Sequence, residues 1–153
     1  MRTCRTDETA FTLLEVVVVL CVLALAAGLV LARVGDPGAL AVDAAATDLA
    51  ATINLTRERA ILGARRLRLA LDLDTGRFTV SGGHAPDERT ALPPRVRLRR
   101  VTAGDTKYGA GVVRLDFDPA GDALPARIEL ADDHGHIATV AVPPAVGRAM
   151  VER

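Results

Sequence analysis

An apolar run from Phe11 to Ala32, interrupted only by Thr12 and Glu15, is the feature that most limits how this chain can fold. As an α-helix rising about 1.5 Å per residue, the run would reach roughly 33 Å, enough to cross a hydrocarbon core of about 30 Å. A carboxylate inside such a segment costs on the order of 2–3 kcal/mol, so Glu15 needs a partner at the same depth. We therefore expect a single membrane helix whose acid pairs with a positive charge.

This segment lacks the features of a cleaved secretory signal. Such signals combine a basic start, an apolar stretch of about 7–15 residues and a small-residue cleavage site after that stretch. Here Arg2 and Arg5 are balanced by Asp7 and Glu8, and the apolar run is longer. A plain membrane anchor would explain the length of the run but would give Glu15 no role.

The segment Phe11-Thr12-Leu13-Leu14-Glu15, with the apolar run behind it, resembles the type IV prepilin signature that pilins share with the pseudopilins of type II secretion systems. The resemblance implies that a membrane aspartyl peptidase, the prepilin peptidase, cuts between Ala10 and Phe11 and methylates the new amine of Phe11. Glu15 is then the fifth mature residue, where the family has its Glu. Its carboxylate and the α-amino group of a neighbouring subunit can neutralise each other in lipid. The family usually has Gly before the cut, whereas this chain has Ala10.

The rest of the chain suits one small exported domain that begins with a helix. Pro37 and its Gly neighbours are expected to break or kink the chain after the apolar run. Helix then resumes over residues 40–62, and Gly63 is expected to end it. One stripe of that helix is expected to pack on a sheet, and its members are Leu49, Ile53, Thr56 and Ala60.

After Gly63 the period of the apolar positions changes to two, which predicts β-strands. Residues 74–76 are expected to form a hairpin turn, and residues 81–94 a polar loop. The strand candidates are 67–73, 77–80, 96–101, 112–117, 127–130 and 137–142. One long helix followed only by strands predicts an α+β domain, with an antiparallel sheet against the C-terminal half of the helix.

The exported part resembles the family of minor pseudopilin H, the GspH domain, which FimT-like and FimU-like minor pilins also contain. Five sequence elements carry this resemblance by occurring in the same order as in the family. They are the Ala- and Arg-rich helix, Arg65-Arg66-Leu67-Arg68-Leu69, Leu92-Pro93-Pro94-Arg95-Val96, Phe117-Asp118-Pro119-Ala120-Gly121 and Gly147-Arg148. The resemblance implies a pilin-like fold. The segments are then a cleaved leader at 1–10, the transmembrane half of the helix at 11–32, its periplasmic, amphipathic half at 33–63, and a periplasmic β-rich domain at 64–153.

A basic cluster offers a candidate contact for DNA or a protein partner. Alternation puts Arg95, Arg97 and Arg99 on one face of a predicted strand, where they could grip phosphates or form the solvated face; we favour the solvated face. Some FimT-like pilins bind DNA through a Gly-Arg-x-Arg element. The matching stretch of this chain is Gly147-Arg148-Ala149-Met150, which keeps Arg148 but has Met150 in place of the second Arg. Lys plus Arg equals Asp plus Glu, 19 each, so no global basic field attracts nucleic acid. We expect no nucleic-acid partner.

Two acidic clusters invite a metal-binding interpretation, namely residues 132–136 and the set Asp116, Asp118 and Asp122. Both stand at predicted strand ends, where Asp and Gly are the usual turn residues, and the second lacks the remaining ligands of an EF-hand loop. The chain shows no nucleophile, base and orienting acid in recognisable order. We expect no metal, no cofactor and no enzymatic activity.

The resemblance implies a minor pseudopilin of a type II secretion system. It would span the bacterial inner membrane once, with a cytoplasmic N-terminus and a periplasmic domain, and enter the pseudopilus after processing. Its expected partners are the prepilin peptidase, the major and minor pseudopilins and the inner membrane, with secreted proteins as further candidates. The alternative is a FimT-like or FimU-like minor pilin of a type IV pilus that serves DNA uptake.

Overall fold

The computed structural model describes residues 13–33, 37–82, 87–144 and 148–152. Helix α1 is Leu13–Arg33 and helix α2 is Pro37–Leu62. The expected break after the apolar run falls partly on residues 34–36, which lie outside the described residues. The chain forms two compact units, Met1–Gly35 and Asp36–Arg153. The first contains α1, and the second contains α2 and the β-strands.

Helix α2 has clear start and stop signals. It begins with Pro37, whose fixed φ suits the first helical position and whose missing N–H is not needed there. At the other end, Ala64 takes a left-handed conformation with φ 45°, Ala64 N–H donates to the Ile61 carbonyl and Arg65 N–H donates to the Ala60 carbonyl. This is the Schellman arrangement, so the left-handed residue is Ala64 rather than the neighbouring Gly63.

The strands after α2 form two antiparallel sheets. Their bounds are β1 Leu67–Asp72, β2 Arg77–Ser81, β3 Glu88–Ala91, β4 Arg97–Ala103, β5 Thr106–Tyr108, β6 Val112–Phe117, β7 Ala126–Ala131, β8 Ile137–Val142 and β9 Met150–Glu152. The four-stranded sheet has the order β3-β2-β1-β6, and the five-stranded sheet has the order β5-β4-β7-β8-β9. The prediction of an α+β domain with a helix packed on antiparallel β structure is confirmed, although the β structure is divided between two sheets.

The buried side of α2 holds these sheets together. Leu49, Ile53 and Ala60 are fully buried and Thr56 is 1% exposed, so the predicted helical stripe is confirmed. Helix α2 contacts β1 and β6 of the first sheet and β7, β8 and β9 of the second. The hydrophobic core runs from Val42 to Ala149 and lies wholly within the second compact unit. A fragment spanning residues 36–153 therefore carries its own core, and we expect it to fold without α1.

Gly121, in the loop between β6 and β7, lies against α2. Its φ is 85°, and a Cβ at this position would lie 2.6 Å from Ile61 Cδ1. We expect Gly121→Ala to destabilise the 36–153 fragment by about 2 kcal/mol, measured by urea denaturation, because backbone strain and crowding add. Gly135→Ala is the control, since Gly135 has φ 93° but open space where a Cβ would lie; it should cost about 1 kcal/mol. In an Ile61→Ala background, which removes both Cδ1 and the Cγ1 atom 3.0 Å from the added Cβ, Gly121→Ala should cost about as much as Gly135→Ala. A larger cost that persists in this background would contradict the crowding argument.

Candidate functional site

The predicted processing site and the predicted assembly acid lie at the start of the chain. Ala10 and Phe11 are outside the described residues. Glu15 is in the first turn of α1, where a negative charge suits the helix dipole. Every described side chain of α1 is exposed, including Leu13 at 82% and Leu14 at 73%. So large an exposed apolar surface is typical of a helix that other helices or lipid cover.

Neither helix meets the requirements for a membrane span over its described part. Among the described residues, no helix combines the length and the hydropathy needed to cross a bilayer.

The predicted arginine face lies only partly on a strand. Arg95 precedes β4 in a turn, with φ 73°, and β4 begins only at Arg97. The pairing register of β4 with β7 shifts between Leu98 and Arg100, so that Arg99 and Arg100 are both exposed in succession. The expected alternation holds in burial, because Arg95, Arg97 and Arg99 are exposed and Val96 and Leu98 are buried. What the prediction did not include is that β4 begins only at Arg97, and that a β-bulge adds Arg100 to the exposed side.

Two arginines of this cluster form ion pairs with acids. Arg97 Nη1 lies 2.7 Å from Asp133 Oδ1, and Arg100 Nη1 lies 3.4 Å from Glu129 Oε1. Arg148, the other predicted contact, is on a different element: its Nη2 lies 3.5 Å from Glu58 Oε1 on α2. The preceding Gly147 is outside the described residues. These acids partly neutralise the positive surface that a phosphate backbone would need.

The acidic stretch 132–136 forms the turn between β7 and β8, as predicted. Asp132 is 3% exposed, and its Oδ1 accepts hydrogen bonds from the backbone N–H groups of His134 and His136, both at 2.9 Å. Its Oδ2 lies 2.8 Å from His136 Nδ1. The hydrogen bond from the His136 side chain, helped by the two backbone donors and opposed by burial, lowers the pKa of Asp132 to about 2. Within the described residues, no group of three or more His, Cys, Asp or Glu side chains is arranged to hold a metal.

The lowered pKa of Asp132 predicts a pH dependence of stability. A carboxylate whose folded-state pKa falls from 3.8 to about 2 stabilises the fold fully above pH 4 and loses that effect as the pH falls toward 2. We expect Asp132→Asn to lower the urea midpoint of the 36–153 fragment at pH 7 and to flatten its decline between pH 4 and pH 2. Asp105→Asn, an exposed change in the turn between β4 and β5, is the control. An unchanged pH profile in Asp132→Asn would contradict the assignment.

The second acidic set lies at the end of β6. Asp116 accepts two hydrogen bonds from Arg68, at 2.6 and 3.1 Å, and this lowers its pKa. Asp118 Oδ1 accepts backbone hydrogen bonds from Ala120 and Asp122, both at 2.9 Å. Both carboxylates therefore have partners that account for their position at a strand end and turn.

Sequence reasoning missed Arg57, the one arginine in the core of the domain among the described residues. Arg57 is 4% exposed; its guanidinium carbon lies 5.7 Å from the centre of the Phe117 ring, and its Nη2 donates to the Pro143 carbonyl at 3.4 Å. Desolvation lowers its pKa, and the negative charge of Asp122 opposes that shift. A cation over an aromatic face is favourable, more so where water is excluded.

Arg57 lies where three separate sequence elements meet. These are the Ala- and Arg-rich helix α2, the segment from Phe117 to Gly121, and the segment after Gly147. Asn54, one turn before Arg57, holds the segment after Gly147 against α2. Its side chain donates a hydrogen bond to the Ala149 carbonyl at 3.1 Å and accepts one from the Ala149 N–H at 2.8 Å. The spacing of Arg57 from Ile53 and Ala60, four and three residues, is the sequence signal that puts it on the buried stripe.

Comparison with known proteins identifies similar sequences and folds. A family model described as type II transport protein GspH matches residues 45–145. No match is found among curated protein sequences.

Two structures of the minor pseudopilin EpsH from the type II secretion system of Vibrio cholerae have TM-scores of 0.55 and 0.56. Their sequences are 16% and 14% identical to this chain, and the matches cover 72% and 73% of this chain and 95% of each EpsH chain. The type IV minor pilin FimU of Pseudomonas aeruginosa strain PAO1 has a TM-score of 0.56 and 15% identity, with 73% of this chain and 88% of that chain covered. The predicted pilin-like fold is confirmed.

Proposed function

We propose that this chain, which belongs to the GspH family of type II transport proteins, acts as a minor pseudopilin of a type II secretion system. The observation that carries the proposal is the family match over residues 45–145, roughly two thirds of the chain. These residues contain most of α2 and nearly all of the two sheets that pack on it. The proposed role is mechanical: the helices join a filament, and the β-rich domain contacts other pseudopilins or secreted proteins.

The proposal includes processing and membrane insertion. Prepilin peptidase would cut between Ala10 and Phe11 and methylate Phe11, leaving a single inner-membrane span with the rest of the chain in the periplasm. The prepilin-like motif and the length of the apolar run in the sequence support this topology, as does the exposure of the α1 side chains from Leu13 to Gly28. In lipid or among neighbouring helices, that surface would be covered.

The arrangement of the arginines favours secretion over DNA uptake. The likeness to EpsH and to FimU is equally close, so the fold alone does not separate the two roles. Arg97 and Arg100 are in ion pairs, and the element beginning at Arg148 lacks its second Arg. Each Lys or Arg that is neutralised within the protein contributes less to phosphate binding.

A deletion strain tests the proposed function. Without this chain, we expect the host to retain type II substrates in the periplasm, at least tenfold above the parent strain in an enzyme assay of cell fractions, while natural transformation is unchanged. Expression of the intact chain should restore secretion. Normal secretion combined with loss of transformation would contradict the proposal and favour the type IV pilus alternative.

A further inference from the structure

Arg57 has hydrogen-bond donors that its own domain does not use. Nε and Nη1 are buried and have no acceptor within the described residues. These two nitrogens carry three of the five N–H groups of a guanidinium. A buried donor without a partner is destabilising, and more so when the group is charged. The Phe117 ring and the long contact to the Pro143 carbonyl offset only part of this.

A groove beside Arg57 offers room for an acceptor. Its walls are Asn54, Arg57, Glu58, Ile61 and Arg148, and its volume is about 160 Å³. At roughly 30 Å³ per water molecule, this is ample for a carboxylate and the methylene that bears it. The hydrogen bonds between Asn54 and Ala149 hold the two walls together.

The rim of the groove carries an exposed ion pair. An ion pair there joins Arg148 Nη2 to Glu58 Oε1 at 3.5 Å, and these side chains are 81% and 53% exposed. Exposed ion pairs of this kind contribute little to stability, so an incoming acid could displace Glu58 at little cost. Arg148 would then face the same ligand as Arg57.

We propose that this groove, which we call the Arg57 groove, binds the carboxylate of an acidic side chain on a neighbouring pseudopilin. The guanidinium of Arg57 supplies the buried donors and Arg148 supplies a second positive charge at the rim. A carboxylate is the matching chemistry, because it accepts several hydrogen bonds from a planar guanidinium and compensates its charge. Asp122 compensates the charge of Arg57 only in part, since its charge acts on Arg57 but no acceptor within the described residues takes a hydrogen bond from Arg57 Nε or Nη1. This inference rests on the proposed function for the identity of the partner.

The first test uses acetate as a minimal carboxylate. In nitrogen-15 spectra of the 36–153 fragment, the Arg57 Nε–H resonance should shift saturably with sodium acetate and not with sodium chloride at equal ionic strength. Arg148→Ala should weaken acetate binding at least threefold. Arg59→Ala is the matched control, because Arg59 is on the same helix but pairs with Glu88 and does not line the groove. No saturable shift, or the same shift with chloride, would overturn the carboxylate site, and a shift produced only by duplex DNA would identify a nucleic-acid site instead.

The second test replaces the cation with an apolar chain of similar length. Replacing a buried charge that lacks full compensation with an apolar side chain removes its desolvation penalty, so Arg57→Met should leave the urea midpoint of the fragment unchanged or raised. In the full chain, the same change should reduce cross-linking to other pseudopilins at least fivefold. Undiminished cross-linking would overturn the proposal. If the unaltered chain cross-links to no pseudopilin, the proposed function fails, whereas the acetate titration still decides whether the groove binds carboxylates.

Discussion

Leu49→Ala in the 36–153 fragment is expected to lower the free energy of unfolding by about 3 kcal/mol. Leu49 is fully buried in the middle of α2, on the stripe that packs on both sheets. Truncation removes three carbons from a close-packed site whose walls belong to several elements, so the surroundings cannot collapse fully into the space. For a domain of this size, the loss corresponds to a fall in melting temperature of roughly 10 °C. Urea denaturation followed by circular dichroism measures the first value, and a thermal scan the second.

Two further variants separate burial from other effects of the substitution. Leu55→Ala makes the same chemical change on the same helix, but Leu55 is 45% exposed, so it should cost less than about 1 kcal/mol. Leu49→Met nearly conserves volume and should cost less than about 1.5 kcal/mol. Equal losses for Leu49→Ala and Leu55→Ala would contradict the placement of the stripe.

The parts of the fold that the sequence predicts are those with a periodic apolar pattern. Helix α2 repeats buried residues at Leu49, Ile53 and Ala60, and β1, β6 and β8 alternate buried with less buried residues. Where one face of an element is buried along its whole length, the period of the apolar residues identifies both the element and its inner face. The predicted ends of these strands lie within one or two residues of the observed ends.

The parts that the sequence does not predict lack such a pattern. All four residues of β3 are exposed, so the sequence predicts a loop there, and β5 and β9 have only three residues each. Alternation also shows which face of a strand is buried but not which strand is its neighbour, so the division into two sheets does not follow from it. Edge strands of this kind depend on backbone pairing rather than on burial.

The residues of the candidate site also differ in whether the sequence alone identifies them. Glu15 stands out because a charge in an apolar run is rare, whereas Arg57 does not, because one charge in an Arg-rich helix is ordinary. The bulge at Arg99 has no marker in the sequence, because neither Gly nor Pro is present there. Local chemistry can be inferred from the sequence, but the meeting of α2, Phe117 and Ala149 depends on long-range contacts.

Glu15→Ala is expected to leave the chain in the membrane and to prevent its entry into the filament. Removing a carboxylate from an apolar segment favours insertion by on the order of 2–3 kcal/mol, so membrane fractionation should find the variant at normal levels. The partner proposed for Glu15 is the methylated amine of Phe11 on a neighbouring subunit. Without Glu15, that amine would be left uncompensated in lipid, which costs several kcal/mol at each junction. Cross-linking to other pseudopilins should therefore fall at least tenfold.

The result depends on charge and on processing, and both can be controlled. Glu15→Asp keeps the carboxylate on a side chain that is one methylene shorter, and it should retain part of the cross-linking. Glu15→Gln keeps the size of the side chain but removes its charge, and it should behave as Glu15→Ala. Intact-mass measurement should show that each variant begins at methylated Phe11, because a chain with its leader attached offers no α-amine at that depth. Normal cross-linking of a processed Glu15→Gln chain would show that shape rather than charge sets the register, and the proposed pairing would have to be abandoned.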